Sequence, residues 1–236
     1  QVLRVNGSDH LAAARDFAKK ENPDILHLHH SMLWDFASEL AQSAELPILQ
    51  TVHVLQAEQN RLRGIEGSTL SLEAQGRALR GADLIHAPSS SVAQLLEGYY
   101  PGIGNRLRVA PIGIDSPCGS TGGALPGREG EGFVLYVGRF ADIKGFGDLL
   151  ELIALVYERA PNTSWVIAGG LPENRRSERK WLSRWKDRAS PGMLEKVNFV
   201  GWCDSNTLAA LYDSAALVLC PSWYETFGMV ALEAMN

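Results

Sequence analysis

The chain has 236 residues, 45% of them hydrophobic and 21% charged, a globular composition that argues against a disordered polymer. Its 22 lysines and arginines against 27 aspartates and glutamates give a net charge of −5, so no nucleic-acid partner is expected. Three cysteines, Cys118, Cys203 and Cys220, are odd in number and lack any C-x-x-C, which excludes a disulfide framework or zinc knuckle and suits a reducing compartment.

Short apolar runs alternate with longer periodic segments along the whole chain. Strands are expected at 24–29 (DILHLH), 46–53 (LPILQTVH), 82–87 (ADLIHA) and 107–112 (LRVAPI). Four more are expected at 133–138 (FVLYVG), 164–170 (SWVIAGG), 197–201 (VNFVG) and 216–222 (ALVLCPS). Their lack of polar alternation predicts strands buried on both faces. Between them, Leu149, Leu152, Ile153 and Val156 follow helical spacing, and the serines before VAQLLEGYY are candidate N-caps. This alternation predicts an α/β protein with parallel sheets.

One stretch breaks the pattern. Residues 115–132 hold six glycines and two prolines without apolar periodicity. The expected organisation is a first Rossmann-like domain at 1–116, a linker at 117–131 and a second Rossmann-like domain at 132–236. Ligands of open α/β sheets sit beyond the carboxyl ends of the strands, so the residues just after each strand carry most of the functional information.

Several nucleotide and nucleophile motifs are missing. Gly169-Gly170 is not G-x-G-x-x-G, GRFADIKGFG is not a P-loop, and neither HSMLW nor PSSSV is G-x-S-x-G. His27 and His29 share one strand face near Asp24, but with no third ligand nearby they read as hydrogen-bonded strand-end histidines, and no metal is expected.

Two other strand ends carry chemistry. Arg139 leaves the strand at 133–138 and Lys144 follows just before a helix; together they could grip a diphosphate, one as a fork and one as a point charge. After the strand at 216–222 comes PSWYETFGMVALEAMN. A helix is expected from near Phe227 or Gly228, offering the backbone amides of Gly228, Met229 and Val230 to an anion. Glu225 stands ahead of that helix. Glu233 falls inside it, where its carboxylate could accept two hydrogen bonds from a vicinal diol such as a ribose.

These segments resemble glycosyltransferases of family 4, retaining enzymes of the two-domain GT-B fold. The match runs through GRFADIKG, the VNFVG…LAALY…PSWYETFGMVALEAM segment with its E-x7-E pair, and upstream through DILHLHH, TVH, ADLIHAPSSSV and PIGID. The resemblance implies that Arg139 and Lys144 hold the donor diphosphate, Glu225 contacts the donor sugar, Phe227, Gly228, Met229 and Val230 meet sugar and phosphates, and Glu233 binds the ribose. It also implies that His53 faces the reacting sugar. The donor would be a UDP-, GDP- or ADP-sugar and the acceptor a hydroxyl of a glycan, lipid or small molecule, with no cofactor and no metal. Other readings on the same fold are a phosphorylase, a sugar-nucleotide epimerase and a non-catalytic sugar-nucleotide-binding protein.

The chain opens on Gln1, and its last helical stretch has barely begun at Asn236, so both domains read as incomplete. No secretory signal or membrane-length apolar run is visible, which suggests a cytoplasmic location. The segment 175–188, with seven basic residues plus Trp181 and Trp185, reads as a solvated helix whose tryptophans pack on the sheet, with contact with the inner face of a membrane as the alternative.

Overall fold

The computed structural model describes residues 10–114, 132–170 and 176–236. The expected linker at 117–131, together with Cys118, lies outside them. The chain divides into two compact units, Gln1–Ile112 and Gly113–Asn236.

In the first unit the order is α1 (His10–Glu21), β1 (Leu26–Leu28), α2 (Trp34–Ala44), β2 (Ile48–Thr51), α3 (Gln56–Leu62), α4 (Leu70–Gly81), β3 (Leu84–Ala87), α5 (Ser90–Tyr99) and β4 (Leu107–Val109). The strands form one parallel sheet in the order β1-β2-β3-β4. Local sequence chemistry sets the helix starts: Thr69 accepts from Leu72 N ahead of α4, and Ser89 from Val92 N ahead of α5. Each satisfies an amide that the first helical turn leaves open.

The second unit runs β5 (Phe133–Val137), α6 (Phe146–Arg159), β6 (Trp165–Ala168), α7 (Arg176–Arg188), α8 (Pro191–Leu194), β7 (Val197–Gly201), α9 (Ser205–Ser214), β8 (Ala215–Val218) and α10 (Met229–Met235). Its parallel sheet has the order β7-β6-β5-β8. All eight expected strands are present, each unit is Rossmann-like, and the α/β class holds. Burial on both faces holds for β6 throughout and for most of β2 and β5, but not for the edge strands β4 and β8, where Leu217 is 56% exposed. An edge strand lacks a neighbour whose crossover helix would cover it.

The core of the second unit stacks α6 and α7 on one face of its sheet. Phe146, Leu149 and Ile153 from α6 meet Tyr136, Trp165 and Ile167 from the strands. Trp185 is 5% exposed within this core, and Trp181 packs edge-on against Phe146 with ring centroids 6.0 Å apart. The two tryptophans of the basic segment therefore anchor α7 to the protein and do not point outward as interface anchors. Among the described residues no helix is long and apolar enough to cross a membrane.

Candidate active site

The sheet of the second unit switches direction at β5. Strand β6 follows it on one side, and β8 returns on the other, so the loops leaving β5 and β8 emerge side by side. Such a switch point is where a doubly wound sheet opens a crevice. Arg139 to Gly145 form the first loop and Pro221 to Gly228 the second.

The loops are joined at several points. Trp223 N donates to Ile143 O at 3.1 Å, and Trp223 Nε1 donates to Asp148 at the start of α6. Gly145 is buried with φ +62°, and its missing side chain lets the backbone of Pro221 pass at close range. Tyr136 supports the first loop from below, its hydroxyl donating to Arg139 O at 2.8 Å. Burial, and then the Glu225 charge, push the Tyr136 phenol well above its ordinary range, so it stays a neutral donor.

Two expected site residues meet here. Lys144 Nζ lies 2.6 Å from Glu225 Oε1, with both side chains partly shielded, and Ser222 Oγ donates to the same oxygen at 2.7 Å. Arg139 is exposed on the same loop as Lys144. Cys203 and Cys220 are free thiols, and burial first, then the Glu225 charge, raise Cys220 above its usual value.

The helix after Gly228 begins where expected. Gly228 caps α10 with φ +86°, and Leu232 N to Gly228 O is the first helical hydrogen bond, so the amides of Met229 and Val230 precede it. Phe227 comes just before the cap. Glu233 is held by α9: Tyr212 donates its hydroxyl to Glu233 Oε2 at 2.8 Å, and burial, reinforced by that bond, raises the Tyr212 phenol far above its ordinary range. A protonated phenol fixes one carboxylate oxygen and leaves the other as an acceptor. Neither Tyr212 nor Ser222 was singled out from the sequence, although both lie in the segments that carry the family resemblance. A groove of about 650 Å³ between α6 and α7 borders Asp142 and Trp223 but includes neither Lys144 nor Glu225.

In the first unit the strand ends gather histidines. The rings of His27 and His29 lie 4.0 Å apart, as their shared strand face predicts. His29 Nδ1 is 2.8 Å from His53 Nε2, and both border a small cavity of about 100 Å³ after β2. His27 Nε2 is 2.7 Å from Thr51 Oγ1, which is 3.1 Å from His86 Nδ1, and His86 Nε2 reaches Ala110 O at 2.7 Å. A carbonyl only accepts, so His86 carries its proton on Nε2. When Nδ1 of His86 carries no proton, the Thr51 hydroxyl donates to it and accepts from His27. Among the described residues no group of three or more His, Cys, Asp or Glu is arranged to hold a metal ion.

Burial is the main cause that lowers His27 and His53 below the ordinary 6.5, with the charges of His29 and His86 adding to it. The unfolded chain therefore takes up these protons more readily than the folded one. Stability from this cluster is complete above pH 6.5 and is lost as pH falls through the depressed values. We expect the melting temperature to drop between pH 6.5 and 5 less steeply in His27→Gln than in the unsubstituted protein; equal slopes would remove the cluster as the cause.

Two Rossmann-like units with parallel sheets, together with GT-B glycosyltransferase structural neighbours, give the fold class. The Anabaena protein HepE, solved in complex with UDP and glucose, superposes with a TM-score of 0.74 at 20% identity, over 95% of this chain and 59% of that one. Residues 5–116 match the Glycosyltransferase Family 4 model and residues 124–236 the model for Glycosyl transferases group 1. The chain belongs to this glycosyltransferase family. A glycogen synthase of Mycobacterium tuberculosis is 31% identical over 217 residues, 90% of this chain and 50% of its own length. A D-inositol 3-phosphate glycosyltransferase of Pseudarthrobacter chlorophenolicus is 28% identical over 222 residues, 89% of this chain and 52% of its own. The chain thus spans about half the length of the curated relatives it matches.

Proposed function

We propose that the protein transfers a sugar from a nucleotide-diphosphate sugar to a hydroxyl acceptor with retention at the anomeric carbon. The observation that carries this reading is the convergence of Lys144, Ser222 and Glu225 at the β5/β8 switch point. Cation and carboxylate side by side suit a ligand with a diphosphate at one end and sugar hydroxyls at the other. Solved relatives of the same fold whose structures contain UDP or UDP-glucose support such a donor.

In this reading Arg139 and Lys144 neutralise the diphosphate as it leaves. Glu225 accepts hydroxyl hydrogen bonds from the sugar, and the backbone from Phe227 to Val230 lines the sugar and phosphates. Glu233, oriented by Tyr212, accepts from the ribose, and His53 serves the reacting sugar. The bond from C1 to the phosphate oxygen breaks as the bond from C1 to the acceptor oxygen forms. The acceptor proton passes to the leaving phosphate oxygen on the same face. The protein contributes position and preorganised charge.

The test is product analysis with UDP-, GDP- and ADP-sugars against glycan, lipid and small-molecule acceptors. The anomeric configuration of the product should match that of the donor. Two cations on the diphosphate take the place a divalent ion would fill, so turnover should survive EDTA. Inversion would overturn the stereochemistry, and turnover that EDTA abolishes and Mg²⁺ restores would overturn the metal-independent route.

A further inference from the structure

In this structure Lys144 and Glu225 neutralise each other. Nζ approaches Oε1 at 2.6 Å, and Ser222 Oγ shares that oxygen at 2.7 Å. The pair is not a loose surface contact. Its side chains are 27% and 35% exposed, and the loops bearing them are joined by the Trp223 N to Ile143 O bond and by Gly145 against Pro221. A diphosphate that engages Lys144 competes with Glu225 for the ammonium. The carboxylate then faces the phosphate charges with a smaller share of the Lys144 charge and the Ser222 hydroxyl still on it. Two anions brought together in a partly shielded site repel, and the cost falls only if a new donor reaches the carboxylate.

Building on the donor reading above, we propose that the Lys144–Glu225 pair is an exchange switch that selects the intact sugar nucleotide over the free nucleoside diphosphate. An intact donor replaces both halves of the pair: its phosphates take Lys144, and its sugar hydroxyls donate to Glu225. A nucleoside diphosphate replaces one half only and leaves Glu225 uncompensated. The same asymmetry drives release of the spent nucleotide once the sugar has gone, because Glu225 regains Lys144 as the phosphates leave. The Ser222 hydroxyl donates to the carboxylate whichever partner it has.

The experiment is calorimetric titration of the protein with UDP, GDP and ADP, each alone and as its glucosyl ester, in three forms: unsubstituted, Glu225→Gln and Ser222→Ala. Glutamine keeps the shape and an accepting oxygen but removes the charge. Glu225→Gln should bind the free diphosphate about tenfold tighter, since like-charge juxtaposition is removed, while its affinity for the glucosyl ester does not rise. Ser222→Ala keeps the charge and should keep the preference for the ester. Thermal melting of each variant separates folding loss from these effects. If the free diphosphate binds Glu225→Gln no better than the parent while the ester still binds the parent, the exchange is wrong and the donor reading stands. If the parent binds none of the six ligands, both fall.

Discussion

Replacing Lys144 by alanine is expected to cut sugar transfer about a hundredfold, roughly 3 kcal/mol of lost transition-state stabilisation. The charge on the diphosphate grows as the glycosidic bond breaks, so a cation fixed beside it contributes more in the transition state than in the bound ground state. The fall should therefore appear in kcat as well as in kcat/KM. Arg139→Ala should show a loss of the same order, because both cations leave the same βα loop. The two lysine and glutamate substitutions should not add. With Lys144 gone, Glu225 remains as an unpaired anion beside the phosphates, and removing it as well should recover part of the diphosphate affinity. Steady-state kinetics of both single variants and of the Lys144→Ala, Glu225→Gln double variant measure this directly. Parental turnover in Lys144→Ala and Arg139→Ala together would remove the clamp.

The Lys144–Glu225 contact also marks how far the sequence alone can lead. Its two residues lie 81 positions apart, and no spacing rule joins them. They meet because β8 returns beside β5 after the chain has built β6 and β7 on the other side. Runs of Val, Ile and Leu announce strands but not their order, so both loops were readable as functional while their contact was not. The strand ends fail for a related reason. His29, His53 and Ser222 fall within the expected strands, yet each lies past the ladder, because the apolar run ends where the chain turns out to form a site loop. The basic segment at 175–188 shows another limit. Tryptophans at helical spacing among arginines favour a protein core but also fit a membrane surface. The packing partner decides, here Gly147 of α6, which leaves room for the Trp181 ring. The histidine network was half legible: His27 and His29 share a face by period, but Thr51 and His86 come from neighbouring strands whose register only the sheet fixes.

Gly145 offers a test of how much the joined loops matter. A Cβ there would strike the carbonyl of Pro221, a backbone atom that no rotamer change can move, and its φ of +62° is a conformation side chains resist. The left-handed backbone costs about 1 kcal/mol for a residue with a side chain, and forcing the two loops apart adds about 2 kcal/mol of overpacking. Gly145→Ala should therefore lose about 3 kcal/mol, seen as a fall on the order of 10 °C in melting temperature. Gly228→Ala is the matched comparison. Its φ is +86°, but among the described residues nothing beyond its chain neighbours and its own helix lies within 4 Å of the added Cβ, so only the backbone cost applies. The difference between the two variants isolates the contact between the β5 and β8 loops. Displacing Pro221 also carries Ser222 and Glu225 away from Lys144, so Gly145→Ala should lose donor affinity even below its melting temperature; Gly228→Ala serves the stability comparison alone, because Gly228 lines the proposed donor site. Equal stability of the two variants would mean that the loops separate freely, and that the 2.6 Å pairing of Lys144 with Glu225 does not depend on their close packing.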